Sequence, residues 1–464
     1  MKKYIIILAA ALTLCSCTDY LNVKPRGYDI ASKMEHYEGL LYGTELFLMD
    51  NSFPYMSMEC YTNEDGYANA YSQVGNHVCN GYKWNPDVYR EDETCGEWNS
   101  FTTLLYNYNV IIAEVMDAQD GSPEQKLAIQ SEARMLRAWC TFMMSQFFGK
   151  VPIIKVASTM DNKFELYSVE DVNEFVVTEM KESVDNLQDV PEHYLRVFKP
   201  TGYGLYGKVL FQLGKYDEAS SALQKCLDLL KNQPAFGLRD YRPLMDAGGD
   251  IDYIIAAETD PEHLFYVGNM PRLWDSVYAA MYNLLMFGVR NDLLEMFYPD
   301  RRDCRLAFHS SVSTGVSAYK KYVATQTYAA NMSNIATNIG LELPEIYTMQ
   351  AECLARKGDL NGAADLLLAL RTFRMDDGHA AIPATVVTKD DYVRFAFEER
   401  MREQFGMGTS WFDMKRLWDD PLFQYLKPLY VHTVGSETYT FTEKALYMNY
   451  PPTLLAWHPE YENQ

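Results

Sequence analysis

The clearest pattern of apolar and polar positions lies in the second quarter of the chain. Apolar side chains recur there at steps of four and three, which is the spacing of one face of an α-helix: Ile129, Ala133, Leu136, Cys140, Met143 and Phe147. Ser122 is suited to cap this helix, Pro123 suits its first turn, and Gln125 completes a capping box. Gly149 is expected to end it. The pattern therefore predicts one long amphipathic helix with a defined start and end.

Weaker stripes of the same period predict four further helices. They cover residues 30–49, 95–118, 169–187 and 388–405. Thr388 is suited to cap the last of them. Trp98 and Asn109 lie along the helix of 95–118, and we interpret both as scaffold residues, together with Trp139 and Trp411.

Two segments, 202–231 and 342–372, each predict a pair of helices with a glycine in the turn and small residues where the helices touch. This arrangement is typical of a tetratricopeptide unit, and the residues that carry it are Gly207, Leu210, Gly214, Tyr216, Ala219 and Cys226 in the first segment and Ala351, Gly358, Leu360, Ala363 and Leu370 in the second. The turn glycines are 144 positions apart. We therefore expect other helix pairs to lie between these two in a curved helical stack.

Two regions, 51–94 and 232–340, show no apolar period and are rich in Tyr, Asn, Gly and Trp. We expect long loops there, with short strands at best. Long irregular segments in compact domains are usually functional or disordered, and these contain too many aromatic residues for disorder. The helical scaffold is accordingly expected over 29–50, 95–231 and 341–418, with a Pro- and Tyr-rich tail over 419–464 that wraps the stack.

The start of the chain has the pattern of a secretory signal. Lys2 and Lys3 precede an uncharged apolar run over 4–14, which is too short to span a bilayer. The segment Leu14-Cys15-Ser16-Cys17 resembles the lipobox of bacterial lipoproteins. We expect residues 1–16 to be a signal peptide, Cys17 to be the acylated first residue, and 17–28 to be a tether. The alternative is an ordinary signal whose cysteines have no role.

Composition narrows the possible partners. The chain has 464 residues, 48% of them hydrophobic, and a formal net charge of −22. A negative field repels phosphate, so nucleic acid is not expected as a partner. It also disfavours contact of the body with anionic lipid, which leaves the lipid anchor as the attachment to the membrane.

Seven cysteines remain after Cys17, an odd number at wide spacing. Neither a disulfide framework nor a metal site is expected from this pattern. Cys140, Cys226 and Cys353 fall on apolar helix faces and are interpreted as small buried hydrophobic residues. A bridge between Cys79 and Cys95 remains an open alternative.

Several motifs resemble the SusD-like (SusD/RagB) family of outer-membrane nutrient-binding lipoproteins. They occur in the family's order, from the lipobox to the C-terminus: Cys17-Thr18-Asp19-Tyr20-Leu21-Asn22, Glu132-Ala133-Arg134-Met135-Leu136-Arg137-Ala138, Phe147-Phe148-Gly149, Val151-Pro152, Glu399-Arg400, Glu403, Trp411-Phe412-Asp413, Lys415-Arg416, Tyr450-Pro451-Pro452 and His458-Pro459-Glu460-Tyr461. Two positions depart from it. The family commonly has an acidic residue at Met407 and an arginine at Ser410, so we expect a repacked junction there.

The resemblance implies a mainly α-helical fold for residues 29–464, a single SusD-like domain with tetratricopeptide-type helix pairs and an irregular, ligand-facing half. It also implies an oligosaccharide or polysaccharide ligand and a SusC-like, TonB-dependent transporter over which the protein sits. The expected location is the cell outer membrane, lipid-anchored and facing the exterior.

Glycan binding needs aromatic rings against the apolar faces of sugars and polar groups for their hydroxyls. The two irregular regions offer this mixture. The candidate glycan-binding residues are Tyr71, Asn76, Tyr82, Trp84, Asn85, Arg272, Trp274 and Tyr278. The alternative is that these rings pack under the loops as satellite cores.

No motif of a known catalytic or cofactor site occurs in the sequence, and we expect no enzyme activity, no metal and no cofactor. A glycosidase pair of carboxylates stays possible in principle, with Glu64-Asp65 and Glu91-Asp92-Glu93 as its first candidates. Capture of peptides or glycopeptides is a second alternative, because an acidic surface would favour basic peptides. An adaptor for protein partners is a third.

Overall fold

The computed structural model describes residues 31–41, 52–73, 75–157, 164–190, 196–245, 255–256, 260–269, 287–313, 316–319, 322–323 and 337–462. The expected signal peptide, Cys17 and its tether lie outside these residues. So do Arg272, Trp274 and Tyr278.

Helices dominate the described chain. Their bounds are Met34–Leu41 (α1), Glu64–Gln73 (α2), Asn76–Tyr82 (α3), Gly96–Glu114 (α4), Pro123–Phe148 (α5), Val169–Ser183 (α6), Lys199–Gln212 (α7), Tyr216–Leu230 (α8), Arg242–Met245 (α9), Asn291–Phe297 (α10), Leu343–Lys357 (α11), Leu360–Thr372 (α12), Lys389–Gln404 (α13), Ser410–Arg416 (α14) and Pro452–Trp457 (α15). No helix among the described residues combines the length and the apolarity that a membrane crossing requires.

The strands are short. Their bounds are Cys60–Tyr61 (β1), Val151–Pro152 (β2), Leu166–Tyr167 (β3), Ile255–Ala256 (β4), His263–Phe265 (β5), Gly268–Asn269 (β6), Gly288–Arg290 (β7), His309–Ser313 (β8), Val316–Tyr319 (β9), Tyr322–Val323 (β10), Thr337–Asn338 (β11), Leu341–Glu342 (β12), Val431–Val434 (β13) and Glu437–Thr440 (β14). One sheet has four strands in the order β1-β7-β9-β8, and the others are two-stranded. The mainly α fold is confirmed.

The capping signals in the sequence are confirmed. The Ser122 side chain accepts from the Gln125 amide while the Gln125 side chain accepts from the Ser122 amide, so both halves of the capping box are present at the start of α5. The same reciprocal pair, Thr388 with Asp391, begins α13. These local bonds fix where two of the main scaffold helices start.

Both predicted helix pairs form, as α7–α8 and α11–α12, but their relation differs from the prediction. Helix α8 packs directly on α11, with no other pair between them. The Gln350 amide of α11 donates to Gln224 of α8 at 3.3 Å. Two helix pairs that are far apart in the sequence are therefore neighbours in the stack, which separation along the sequence does not reveal.

Small residues permit this close packing. A Cβ built on Gly204 would lie 2.5 Å from Leu341 and 3.2 Å from both Cys226 and Ile346. No side chain fits at Gly207, because a Cβ there would lie 2.7 Å from the Leu223 side chain. The glycines of α7 therefore let α8, β12 and α11 approach its backbone.

The fingerprint residues of the family resemblance form buried ion pairs between elements. Glu132 of α5 holds Arg196 through two oxygens, at 2.7 to 3.0 Å. Arg400 of α13 contacts Glu345 of α11 and Asp413 of α14, each at 3.0 Å. Such pairs specify how the helices meet, because removal of one partner would leave a buried charge uncompensated.

The junction at Met407 and Ser410, where repacking is expected, lies in the interior of the described fold. Both residues are buried. The Ser410 hydroxyl donates to the Glu59 carboxylate and accepts from the Met58 amide at 3.1 Å. Within the described residues no cation forms an ion pair with Glu59. Burial raises the pKa of this carboxyl, while hydrogen bonds, first that from Ser410, lower it.

The cysteine predictions have mixed outcomes. Cys140, Cys226 and Cys353 are fully buried, as predicted. The possible bridge between Cys79 and Cys95 does not form, because both thiols are free and buried. Cys79 faces the Tyr67 carbonyl and Cys95 faces the Glu97 carboxylate, each at 3.8 Å.

The described tail packs on the scaffold. The Met448 amide donates to the Phe147 carbonyl at 2.7 Å, and the Asn449 amide donates to the Pro86 carbonyl at 2.8 Å. The tail thereby joins the end of α5 to the segment that follows α3. Trp139 and Trp411 are buried, as predicted.

Candidate functional site

An open cleft of about 410 Å³ lies in the first aromatic region. The prediction of loops in this region is wrong in part, because two short helices, α2 and α3, form there. Their junction and the segment before α4 line the cleft with Tyr71, Gly75, Asn76, His77, Arg90, Asp92, Glu93 and Thr94.

Gly75 makes the tight turn from α2 to α3 possible. Its φ of +147° lies in the region that L side chains rarely adopt. A Cβ at this position would lie 2.8 Å from the His77 ring and 2.9 Å from a Glu93 oxygen. The absence of a side chain thus lets Glu93 close against the start of α3.

Glu93 is part of the cleft wall. One oxygen accepts from the His77 amide at 3.0 Å and lies 3.2 Å from the ring nitrogen Nδ1 of the same residue. The other accepts from the Arg90 amide at 3.0 Å. Partial burial raises the pKa of Glu93, but these hydrogen bonds outweigh it and hold the pKa below its ordinary value. Glu93 is therefore an ionised carboxylate that holds the wall together.

Buried side chains support this wall from beneath. The His77 ring stacks on Tyr89, with centroids 5.5 Å apart and planes 11° apart. The Tyr89 hydroxyl donates to Glu97 and accepts from Ser52 at 2.8 Å. Burial, followed by the nearby Glu97 charge, raises the pKa of Tyr89 well above its ordinary value, so Tyr89 remains a neutral donor. The floor of the cleft is thus fixed by packing.

Other side chains of the cleft lining are exposed to solvent and are free to contact a ligand. Tyr71 is 52% exposed and lines the cleft, so part of its side chain is free to contact a ligand. The side chains of Arg90 and Asp92 are 53% and 76% exposed, and Arg90 Nε lies 3.6 Å from Asp92 Oδ1. Asn76 is half-buried at the start of α3. A ring face thus stands beside hydrogen-bond donors and acceptors, which is the mixture that a sugar requires.

The structure brings Tyr71 and Asn76 together but places the other described candidates elsewhere. Tyr82 and Trp84 are buried, with Trp84 only 4% exposed. For these two rings the structure corresponds to the packing alternative, because no glycan can reach them. Asn85 lies outside the cleft lining, where its side chain accepts from the Asp87 amide at 3.1 Å.

His432 of β13 explains why those two rings are buried. Its imidazole lies between them, 4.3 Å from the Tyr82 centroid and 3.8 Å from the Trp84 centroid. Its nitrogens lie 2.7 Å from the Tyr82 carbonyl and 2.9 Å from the Ser57 carbonyl. The hairpin β13–β14 therefore covers rings that are some 350 positions distant in the sequence.

Trp84 also has an unusual backbone. The Trp84 amide donates to the Gly81 carbonyl and the Asn85 amide to the Asn80 carbonyl, which together form a Schellman motif at the end of α3. Its φ of +52° is the left-handed value for which glycine is preferred. The ring is held by a hydrogen bond from Nε1 to the Met56 carbonyl at 2.7 Å.

Sequence reasoning missed His77, Arg90 and Thr94, and it considered Asp92 and Glu93 only as a possible catalytic pair. One signal in the sequence could have indicated these residues. The charged run of residues 90–93 lies directly before the predicted helix of 95–118, at the edge of the aromatic region. Glu93 already accepts from two backbone amides and lies against the His77 ring, so the arrangement suits hydroxyl recognition better than acid–base catalysis. No group of three metal-ligating side chains is close enough, among the described residues, to hold a metal ion.

Comparison with known families gives two matches. Residues 20–210 match a SusD-like family described as starch-binding and associating with the outer membrane. Residues 307–455 match the SusD family. The sequence matches no curated protein.

Solved structures resemble most of the chain. A SusD superfamily protein from Bacteroides fragilis superposes with a TM-score of 0.69 at 14% identity, over 92% of this chain and 99% of that one. A SusD superfamily protein from Bacteroides vulgatus gives 0.67 at 16% identity, over 92% and 98%. A SusD-like carbohydrate-binding protein from the same organism gives 0.61 at 15% identity, over 83% of each chain. Because the sequence identities are only 14–16%, these structural similarities establish the fold of this chain and nothing about its ligand.

Proposed function

Because the chain belongs to the SusD family, we propose that it captures oligosaccharide at the cleft between α2, α3 and residues 90–94. It holds the glycan without covalent chemistry and delivers it to a SusC-like, TonB-dependent transporter. Acyl chains on Cys17 anchor it to the outer membrane, where its body faces the exterior. Two or more such chains suffice for stable attachment.

One observation carries the binding role. The exposed ring of Tyr71 stands in an open cleft beside Asn76, Arg90 and Asp92. A pyranose that stacks on this ring removes its apolar C–H face from water, while the polar groups replace the water bound to its hydroxyls. The Glu93–His77 wall keeps these groups in place before the ligand arrives, which lowers the entropy lost on binding.

Affinity electrophoresis of the purified protein against a panel of polysaccharides tests this proposal. The protein is expected to be retarded by at least one of them. Tyr71→Ala is expected to weaken that binding about ten-fold, because burial of about 60 Å² of ring face at about 25 cal/mol per Å² contributes roughly 1.5 kcal/mol. Its unfolding midpoint should equal that of the parent, since the ring is half exposed.

Tyr106→Ala is the matched control. Tyr106 is 39% exposed on α4 and does not line the cleft. Its removal should leave retardation unchanged. Retention by no polysaccharide, or equal effects of the two substitutions, would contradict the proposed site. Release of new reducing ends would indicate a glycosidase instead.

A further inference from the structure

We infer that the cleft selects uncharged glycans and excludes those that carry carboxylate or sulfate groups. This inference rests on the proposed function, because it concerns the charge of a ligand held in the same cleft. It is carried by the exposed carboxylate of Asp92 and by the excess of acidic residues around it.

The charge balance of the site is clearly negative. Of the six carboxylates and two permanent cations in residues 64–94, two carboxylates, Asp92 and Glu93, and one cation, Arg90, line the cleft. One of the cations, Lys83, lies over the rings of Tyr67 and Tyr439, at 4.9 and 5.1 Å from their centroids, and does not line the cleft. Arg90 alone among the lining side chains carries a permanent positive charge.

Arg90 cannot neutralise the cleft. Its guanidinium is paired with Asp92 at 3.6 Å, while Glu93 is held by backbone amides and His77. An anionic sugar that bound Arg90 would have to displace or approach Asp92. It would also meet the ionised Glu93, because the hydrogen bonds that hold Glu93 keep its pKa low.

A neutral sugar uses the same groups without this penalty. The Asp92 carboxylate offers free lone pairs to the hydroxyls of a pyranose, and the Arg90 guanidinium donates to a neighbouring oxygen. The acidic surroundings change the energy of an uncharged polyol little. The Arg90–Asp92 pair is thus a determinant of specificity as well as a contact.

The test uses pairs of ligands that differ by one group per sugar, a primary hydroxyl in the neutral form and a carboxylate in the charged form. The panel of polysaccharides includes neutral and carboxylated members, and whichever is retained is converted to its counterpart. A neutral chain is oxidised at its primary hydroxyls, and a uronate chain is reduced to the neutral sugar. Affinities are then measured by isothermal titration at 20 and 500 mM NaCl.

At 20 mM salt the neutral form is expected to bind at least about ten-fold more tightly than the carboxylated form. The repulsion between two like charges that are close together at a protein surface is large enough to produce this difference. At 500 mM salt the ratio should fall several-fold, since exposed charges are screened. The affinity for the neutral form should not change. This dependence on salt separates repulsion from the loss of a hydroxyl contact.

Asp92→Asn should reduce the ratio of the neutral-form affinity to the carboxylated-form affinity several-fold at 20 mM salt. Asp390→Asn should leave this ratio unchanged. Asp390 is also an exposed carboxylate, at the start of α13 and outside the cleft. Equal or tighter binding of the carboxylated form would overturn the inference and leave glycan capture standing. Retention by no polysaccharide, or binding of a basic peptide alone, would overturn the proposed function itself.

Discussion

Trp84 occupies a position where glycine is preferred, and this yields an unusual order of stabilities. The residue ends α3 in a Schellman motif with a φ of +52°. An ordinary side chain in this conformation costs about 1–2 kcal/mol because its Cβ crowds the neighbouring backbone. The burial of the ring and its hydrogen bond to Met56 must exceed that cost.

The magnitudes follow from the packing of the ring. Trp84→Ala deletes a ring that is 4% exposed and stacked 3.8 Å from His432, and the expected loss is about 3–5 kcal/mol. Trp84→Gly deletes the same ring but removes the backbone strain as well. We expect the glycine variant to be the more stable of the two by about 0.5–1 kcal/mol, although glycine normally destabilises relative to alanine.

Urea unfolding of both variants, followed by circular dichroism, measures this order. Trp98 supplies the matched control, since it is a 9% exposed tryptophan within the regular helix α4. There the order should reverse, and Trp98→Gly should be about 1 kcal/mol less stable than Trp98→Ala.

Two results would refute the reasoning. If Trp84→Ala were more stable than Trp84→Gly, the left-handed conformation would not be strained. If Trp84→Ala kept the parent stability but lost glycan retention, the ring would be a ligand contact and not a core residue.

Two other predictions concern buried groups. The pKa of Glu59 is raised by burial, so its contribution to stability is greatest at low pH and is lost as the pH rises through its folded pKa. Glu59→Gln should therefore flatten the decline in unfolding free energy as the pH rises above the ordinary pKa of a glutamate, measured by urea titration, whereas a decline as steep as that of the parent would contradict this. Gly340→Ala should cost about 2–3 kcal/mol, because its Cβ would lie 2.2 Å from the Phe265 carbonyl oxygen. Gly39→Ala on α1, with nothing within 4 Å, should be neutral or gain up to about 1 kcal/mol in the same assay, and similar effects at the two glycines would exclude the clash.

The scaffold could be predicted from the sequence because its signals are local. The capping boxes at Ser122 and Thr388 and the turn glycines Gly214 and Gly358 each act within a few residues. Helices α2 and α3 could not be predicted in the same way. Their Tyr- and Asn-rich sequence has no apolar period, and tertiary contacts hold them in place.

The site was predictable in composition but not in detail. Tyr71 and Asn76 meet because Gly75 turns the chain between two adjacent helices. The burial of Tyr82 and Trp84 depends on His432, which only the folded chain brings near. No feature of the local sequence distinguishes a ring covered in this way from one left open.

The direct contact of α8 with α11 has a consequence for how such proteins can diverge. Lys231 leaves α8 close enough to lower the pKa of Tyr347 in α11, against the larger effect of burial. The excursion of residues 231–342 thus starts and finishes at one place on the scaffold. A change in the length of the chain between these two ends need not alter the contact of α8 with α11, because the entropy cost of closing a longer connection rises only slowly with its length. The number of residues in this connection can therefore vary over evolution while α8 and α11 remain neighbours.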